Sequence, residues 1–238
     1  MRIAVTRPQA DSERTATALR ARGHAVLVAP LMQVEPVAAE IRASWTAVVV
    51  TSANAPGAIA THPARAVLIK LPVFAVGRRS ADACRRAGFT DVITAGGDVR
   101  DLIRLIMERR ADAAGPLLYL AGEDRAADLI GELTAHGIAA EMAVVYRAVS
   151  ASFPPELVAA LKTGEIDAVL HFSRRSADNY LAGAARAGIA KQALAVRHLC
   201  LSAQISEPLV TAGATRIAVA TRPDEASLVA LMEQTRID

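Results

Sequence analysis

Short, unbroken apolar runs alternate along the whole chain with amphipathic stretches of about ten to fifteen residues, the rhythm of βαβ units around parallel sheets. The runs are continuous Val, Ala, Ile and Leu, as strands covered on both faces require. Four unit types each occur twice. The first is an apolar strand followed by a hydroxyl turn and a helix: Ala47-Val48-Val49-Val50 before Thr51-Ser52-Ala53-Asn54, and Ala168-Val169-Leu170-His171-Phe172 before Ser173-Arg174-Arg175-Ser176. The second is Val73-Phe74-Ala75-Val76 before Gly77-Arg78-Arg79-Ser80, and His198-Leu199-Cys200-Leu201 before Ser202-Ala203-Gln204. The third is Val92-Ile93-Thr94-Ala95 with a helix from about Val99, and Ile217-Ala218-Val219-Ala220 with a helix from about Asp224. The fourth runs from Leu117 to Gly122, through a helix and His136-Gly137, to a strand near Ala143 to Tyr146. Its partner opens the chain: Arg2 to Pro8, a helix, Arg22-Gly23, then Ala25 to Ala29. Gly23 and Gly137 are suited to end their helices in the left-handed conformation.

The order of these units predicts the architecture. Residues from about 40 to 145 hold a full set of four, whereas the block from 151 holds three and its fourth is at residues 1–30. The chain is therefore expected to begin one domain, leave to build a second, and return. The predicted class is α/β, with two similar three-layer parallel-sheet domains, one inserted into the other. The discontinuous domain is 1–30 plus 151–238, the inserted domain 40–143, and the connectors 31–39 and 144–150. Both connectors alternate apolar and polar residues, so they are expected to pair as a two-stranded antiparallel ladder that acts as a hinge.

Composition narrows the partners. Hydrophobic residues make up 53% of the 238, but aromatics only 3%, so the core is aliphatic and a base-stacking nucleic-acid reader is disfavoured. Lys plus Arg is 27 against Asp plus Glu 24, and this excess of +3 is too small for a general DNA binder. Several arginines follow strands, a pattern that fits a local anion site. Cys84 and Cys200 lack metal or CxxC spacing and read as free buried thiols of a reducing cytosol. No apolar run approaches the ~18 residues of a membrane span, and the chain enters a strand at once, so no signal peptide is expected.

Ligands of open parallel sheets bind beyond the carboxyl ends of the strands. Those ends carry Thr6, Arg7, Thr51, Ser52, Asn54, Gly77, Arg78, Gly122, Arg125, Ser173, Arg174 and Ser202. Hydroxyls, glycines and arginines at helix starts form an anion-binding set, so a polyanion held in a cleft between the domains is expected. Thr51, Ser52, Ser173 and Ser202 also read as helix N-caps, which does not exclude ligand contact. Gly77-Arg78-Arg79-Ser80 and Gly96-Gly97-Asp98 are neither P-loop nor dinucleotide fingerprints. There is no GxSxG nucleophile elbow. His171 reads either as a base or as a structural histidine. Tyr146, in a connector, reads either as a packing residue or as a phenol donating to a leaving group.

With these residues in place, the chain resembles the uroporphyrinogen-III synthase family over essentially its whole length. The resemblance rests on the order of Val5-Thr6-Arg7-Pro8, Val50-Thr51-Ser52-Ala53-Asn54-Ala55, Ala75-Val76-Gly77, Leu120-Ala121-Gly122-Glu123-Asp124-Arg125, Val145-Tyr146-Arg147 and Phe172-Ser173. It implies a cofactor-free lyase acting on hydroxymethylbilane, a linear tetrapyrrole with eight carboxylates. The ring-A hydroxyl leaves as water, ring D is inverted through a spiro intermediate, and the macrocycle closes. Unaided, the substrate cyclises to the wrong isomer, so the enzyme's task is to fold and hold it. Tyr146 matches a connector tyrosine proposed in the family to assist departure of the hydroxyl. Nothing in the sequence requires more than a monomer, and a cytoplasmic protein in transient contact with the deaminase that makes the substrate is expected, without nucleic-acid or membrane partners.

Three stretches depart from the family pattern: Arg174-Arg175 after Ser173, the Ser202-Ala203-Gln204 turn, and Ala220-Thr221-Arg222-Pro223. They motivate a second reading, a non-catalytic tetrapyrrole-binding or regulatory homologue. A third is a hinged small-molecule binding protein without chemistry.

Overall fold

The structure is a computed structural model that describes residues 1–42, 44–109, 115–125 and 127–232. The last six positions of the expected 151–238 segment, and 43, 110–114 and 126 within 40–143, lie outside the described residues. The chain opens with β1 (Arg2–Val5), α1 (Gln9–Arg20), β2 (Ala25–Val28) and β3 (Met32–Pro36). It continues through β4 (Ala47–Val50), α2 (Ala55–Ala58), α3 (Arg65–Leu68), β5 (Val73–Ala75), α4 (Arg78–Ala87) and β6 (Val92–Thr94). Then come α5 (Val99–Glu108), β7 (Leu117–Gly122), α6 (Leu129–Ala135) and β8 (Ala140–Ser150). The last part holds α7 (Pro155–Lys162), β9 (Ala168–His171), α8 (Arg174–Arg186), α9 (Ala190–Ala195), β10 (Arg197–Cys200), α10 (Ala203–Thr211), β11 (Ile217–Val219) and α11 (Glu225–Ala230). Among the described residues no helix is long and apolar enough to cross a membrane.

Two compact units emerge: Met1–Gln33 with Val149–Asp238, and Val34–Ala148. The first is built on a sheet of order β11-β10-β9-β1-β2, parallel throughout. The second has the order β3-β8-β7-β4-β5-β6, with β8, β7, β4, β5 and β6 mutually parallel. Strands β4 and β7 are buried at every position, because helices cover both faces. On one face Ala47, Val49, Leu117 and Ala121 meet Leu102 and Ile106 of α5 and Leu133 of α6. On the other Val48, Val50, Leu118 and Leu120 meet Ala55, Ile59, Leu68 and Cys84. Strict alternation within each strand sorts these sets.

Glycines end the helices as their positions in the sequence suggest. Gly23, Gly88, Gly137 and Gly213 have φ of 80°, 100°, 70° and 93°, a region costly for any side chain. The connector differs from expectation. The stretch expected from 144 is the second half of one eleven-residue strand, β8, whose first half pairs with β7. The Val37 amide donates to Val145 at 2.8 Å and the Ala151 amide to Leu31 at 3.0 Å, partner numbers running in opposite directions as in an antiparallel pair.

Both thiols, Cys84 and Cys200, are free and buried, and burial pushes each up to about 12. His171 is not placed to act as a base. It is fully buried, and its Nε2 lies 3.1 Å from Nδ1 of His198, also fully buried. The Tyr180 ring meets both imidazoles edge-on, and its hydroxyl donates to the Ala193 carbonyl at 3.0 Å.

Candidate functional site

Five of the expected residues, Thr51, Ser52, Gly122, Arg125 and Tyr146, line one pocket of about 410 Å³ in the Val34–Ala148 unit. The parallel strands bring them together, since their carboxyl ends gather at one edge of the sheet. Thr51 and Ser52 follow β4, Gly122 ends β7, and Tyr146 comes from β8. Gly97, Asp98, Tyr119, Asp124 and Leu129 also line the wall. Asp98 caps α5, accepting from the Asp101 amide at 2.8 Å. Gly77 packs backbone to backbone, since a Cβ there would stand 3.3 Å from the Gly97 Cα. Asn54 is exposed, and its amide donates to Ser52 Oγ at 3.2 Å. Arg78 is exposed, outside the lining.

A break in strand register aims Tyr146. Along β7 and β8 the pairs run in step to Ala121 with Val144, then jump to Gly122 with Tyr146. Such a bulge turns a strand locally and redirects a side chain. Strict alternation would put Val145 and Tyr146 on opposite faces, yet both pack against the same cluster. The phenol then lies over Gly122. A Cβ on that glycine would come within 2.5 Å of Tyr146 Cζ and 2.7 Å of its hydroxyl. Burial raises the Tyr146 pKa, the Ser52 hydroxyl pulls it partly back, and Tyr119 and Asp124 push it further up. The group is therefore a neutral donor at neutral pH. Each tyrosine hydroxyl has a partner within the protein: Tyr146 the Ser52 hydroxyl, Tyr119 Thr51 Oγ1 at 2.7 Å, and Tyr180 the Ala193 carbonyl.

The arginines depart from the expected polyanion clamp. Arg125 curls back on its own loop, its Nη1 donating to the Gly122 and Glu123 carbonyls at 2.9 and 2.8 Å. In the other unit Arg174 pairs with Glu207 at 2.7 Å. Arg7 pairs with Glu225 at 3.2 Å, and its guanidinium stacks 4.1 Å above the Phe172 ring. Glu225 also accepts from Thr15 at 2.5 Å and pairs with Arg14 at 3.5 Å, so it ties α11 to α1. Thr6 is corrected outright. Its side chain is fully buried and its hydroxyl donates to the Leu170 carbonyl at 3.3 Å, a core bond closed to a ligand. Ser173 and Ser176 form a reciprocal capping box on α8. Ser202 precedes α10 and makes no capping hydrogen bond through its side chain. Glu225→Ala should lower unfolding stability by about 1 kcal/mol, the scale of a partly buried ion-pair network. An unchanged urea midpoint would show that Arg7 and Thr15 do not depend on it.

The family model described as Uroporphyrinogen-III synthase HemD matches residues 13–230. The chain belongs to the uroporphyrinogen-III synthase family. Among solved structures, the uroporphyrinogen-III synthetase from Helicobacter pylori is similar over 99% of this chain and 100% of that one, at 18% identity and a TM-score of 0.65, which shows a shared fold. A mutant uroporphyrinogen III synthase from the extremely thermophilic bacterium Thermus thermophilus aligns over 98% of each chain at 16% identity, with a TM-score of 0.48. No curated protein matches the sequence. Uroporphyrinogen-III synthases are lyases of heme biosynthesis. The matched span of the uroporphyrinogen-III synthase model takes in Tyr146 and the whole pocket lining, and begins after Thr6 and Arg7.

Beside this pocket is a second, of about 910 Å³, which shares Tyr119, Asp124 and Arg125 and adds Glu123, Asp128 and Glu141. Tyr119, Asp98 and Asp124 were not singled out by sequence reasoning. The available signal was Tyr119 itself, a hydroxyl in the otherwise apolar run Leu117-Leu118-Tyr119-Leu120. Among the described residues no group of three or more His, Cys, Asp or Glu side chains is placed to hold a metal ion.

Proposed function

We propose that this chain cyclises hydroxymethylbilane to uroporphyrinogen III, and that the pocket at Tyr146 takes the end of the substrate that loses its hydroxyl. The observation that carries the reading is the phenol of Tyr146, turned by the strand bulge into a pocket floored by Gly122. A pocket of about 410 Å³ takes one end of a linear tetrapyrrole, not four rings with eight acid side chains.

The chemistry asked of the protein is small. As the ring-A hydroxyl departs, electron density moves from the pyrrole nitrogen into the ring, and the carbon–oxygen bond breaks. The departing oxygen gathers negative charge. Tyr146 donates a hydrogen bond to it at that moment, an interaction stronger in the transition state than in the ground state. Burial disfavours a lasting phenolate, so full transfer from Tyr146 is not required. The pyrrole N–H that becomes acidic as the azafulvene forms supplies the proton that completes water. Asp98 and Asp124 at the wall disfavour substrate carboxylates there and favour pyrrole N–H groups as neighbours. The acid side chains then point away from this pocket, toward groups such as exposed Arg78.

The reading places the reaction in the cytoplasm, with a monomer meeting the deaminase transiently. Two free thiols are consistent with a reducing compartment. Tyr146→Phe should slow turnover of freshly made hydroxymethylbilane by about tenfold or more, the contribution of a positioned proton donor. Turnover equal to wild type would make Tyr146 a packing residue and remove its role in the reaction.

A further inference from the structure

We infer that Tyr119 is a positioning residue that fixes the direction of the Thr51 hydroxyl, so that Thr51 presents its hydrogen to an oxygen acceptor on the substrate; this rests on the pocket being the substrate site. Tyr119 lies beside Val49 in the sheet, two residues before Thr51. Two residues of strand span about 6.6 Å, and a tyrosine leaning along the strand covers that distance. Its hydroxyl accordingly meets Thr51 Oγ1 at 2.7 Å, and both residues line the pocket.

The direction of this hydrogen bond follows from two independent facts. Phenols are more acidic than aliphatic hydroxyls, and so are the better donors. Tyr119 is also only 4% exposed, whereas Thr51 is partly exposed. If Thr51 donated, the phenol's hydrogen would need another acceptor in the protein, and no such bond from Tyr119 is found among the described residues. Tyr119 therefore donates to Thr51. With one of its two lone pairs so engaged, the Thr51 hydroxyl can no longer point its hydrogen at Tyr119, and the positions left to it lie away from the phenol, on a residue that lines the pocket. A threonine alone can turn its hydroxyl toward either role; the phenol removes that freedom. The site gains a fixed donor beside the Tyr146 phenol, which comes from the opposite face of the same sheet.

Three measurements test this. In Tyr119→Phe the apparent KM for hydroxymethylbilane should rise about fivefold with kcat nearly unchanged, the scale of one hydrogen bond. In a Thr51→Val background the same change should add nothing, whereas in Thr51→Ser, which keeps the hydroxyl, the rise should return. Effects of Tyr119→Phe that are equal in the Thr51→Val and wild-type backgrounds would overturn the inference, as would an unchanged KM. Independently of activity, three-bond couplings of Thr51 should report one χ1 rotamer in the wild type and averaging in Tyr119→Phe. A Thr51 rotamer unmoved by the substitution would also overturn it. Failure of the wild type to form the type III isomer would instead remove the proposed reaction and leave the rotamer measurement to judge this pair.

Discussion

Gly122→Ala should lower turnover of hydroxymethylbilane by about a hundredfold, because displacing a reacting group by roughly 1 Å can cost that much. The added methyl would stand 2.5 Å from Tyr146 Cζ, closer than carbon atoms approach without one of them moving. Gly122 is the last residue of β7, buried and paired with β8, so the tyrosine ring is the part that yields. Once the phenol is gone its position no longer matters. In a Tyr146→Phe background, Gly122→Ala should therefore cause little further kinetic loss. A full additional hundredfold loss there would show that Gly122 serves the fold and not the phenol.

Acid should destabilise the unit that contains the His171–His198 pair. Burial lowers the His198 pKa from 6.5 to about 4, and lowers that of His171 well below its ordinary value, with His198 adding to the effect. The Ala193 and Leu194 backbones favour protonated His198, but His198 Nε2 makes no regular hydrogen bond and burial prevails. Tyr180, which packs edge-on against both rings, is pushed up by burial and so stays neutral throughout this range. A base whose folded pKa is depressed takes up more protons when unfolded. Stability is complete above the unfolded value, near 6.5, and declines as the pH falls toward the folded value, near 4. Between pH 7.5 and 5 the loss from His198 alone is about 2 kcal/mol. Urea unfolding at these two pH values reads it directly. The double variant His171→Leu, His198→Leu should flatten most of the slope. An equal slope in wild type and variant would assign the acid sensitivity elsewhere.

The parts of this fold that were legible in the sequence are those that local chemistry decides. Continuous aliphatic runs became the buried parallel strands, and Gly23, Gly88, Gly137 and Gly213 ended their helices with positive φ. The gathering of Thr51, Ser52, Gly122, Arg125 and Tyr146 at one pocket follows from a general property of parallel sheets, so strand order was enough to suggest it. The bulge at Tyr146 was not legible. Strict alternation through Ala143, Val144, Val145 and Tyr146 carries no mark of the extra residue, which arises only from pairing with β7. Nor were the arginine partners. Arg7 and Glu225 are 218 positions apart, and nothing local announces that the cation is already paired. A run of hydroxyls, glycines and arginines at strand ends thus overstated the cationic character of the site. Tyr119 was hidden for the opposite reason: inside an apolar strand it reads as core, and its hydroxyl acquires a role only when Thr51 is brought beside it.

The most direct test supplies freshly made hydroxymethylbilane to the purified protein and separates the uroporphyrinogen isomers by chromatography. The account predicts predominantly the type III isomer, formed faster than the spontaneous reaction, and a shift toward type I in Tyr146→Phe as unaided closure competes. Type I product alone, at the rate seen without protein, would contradict it.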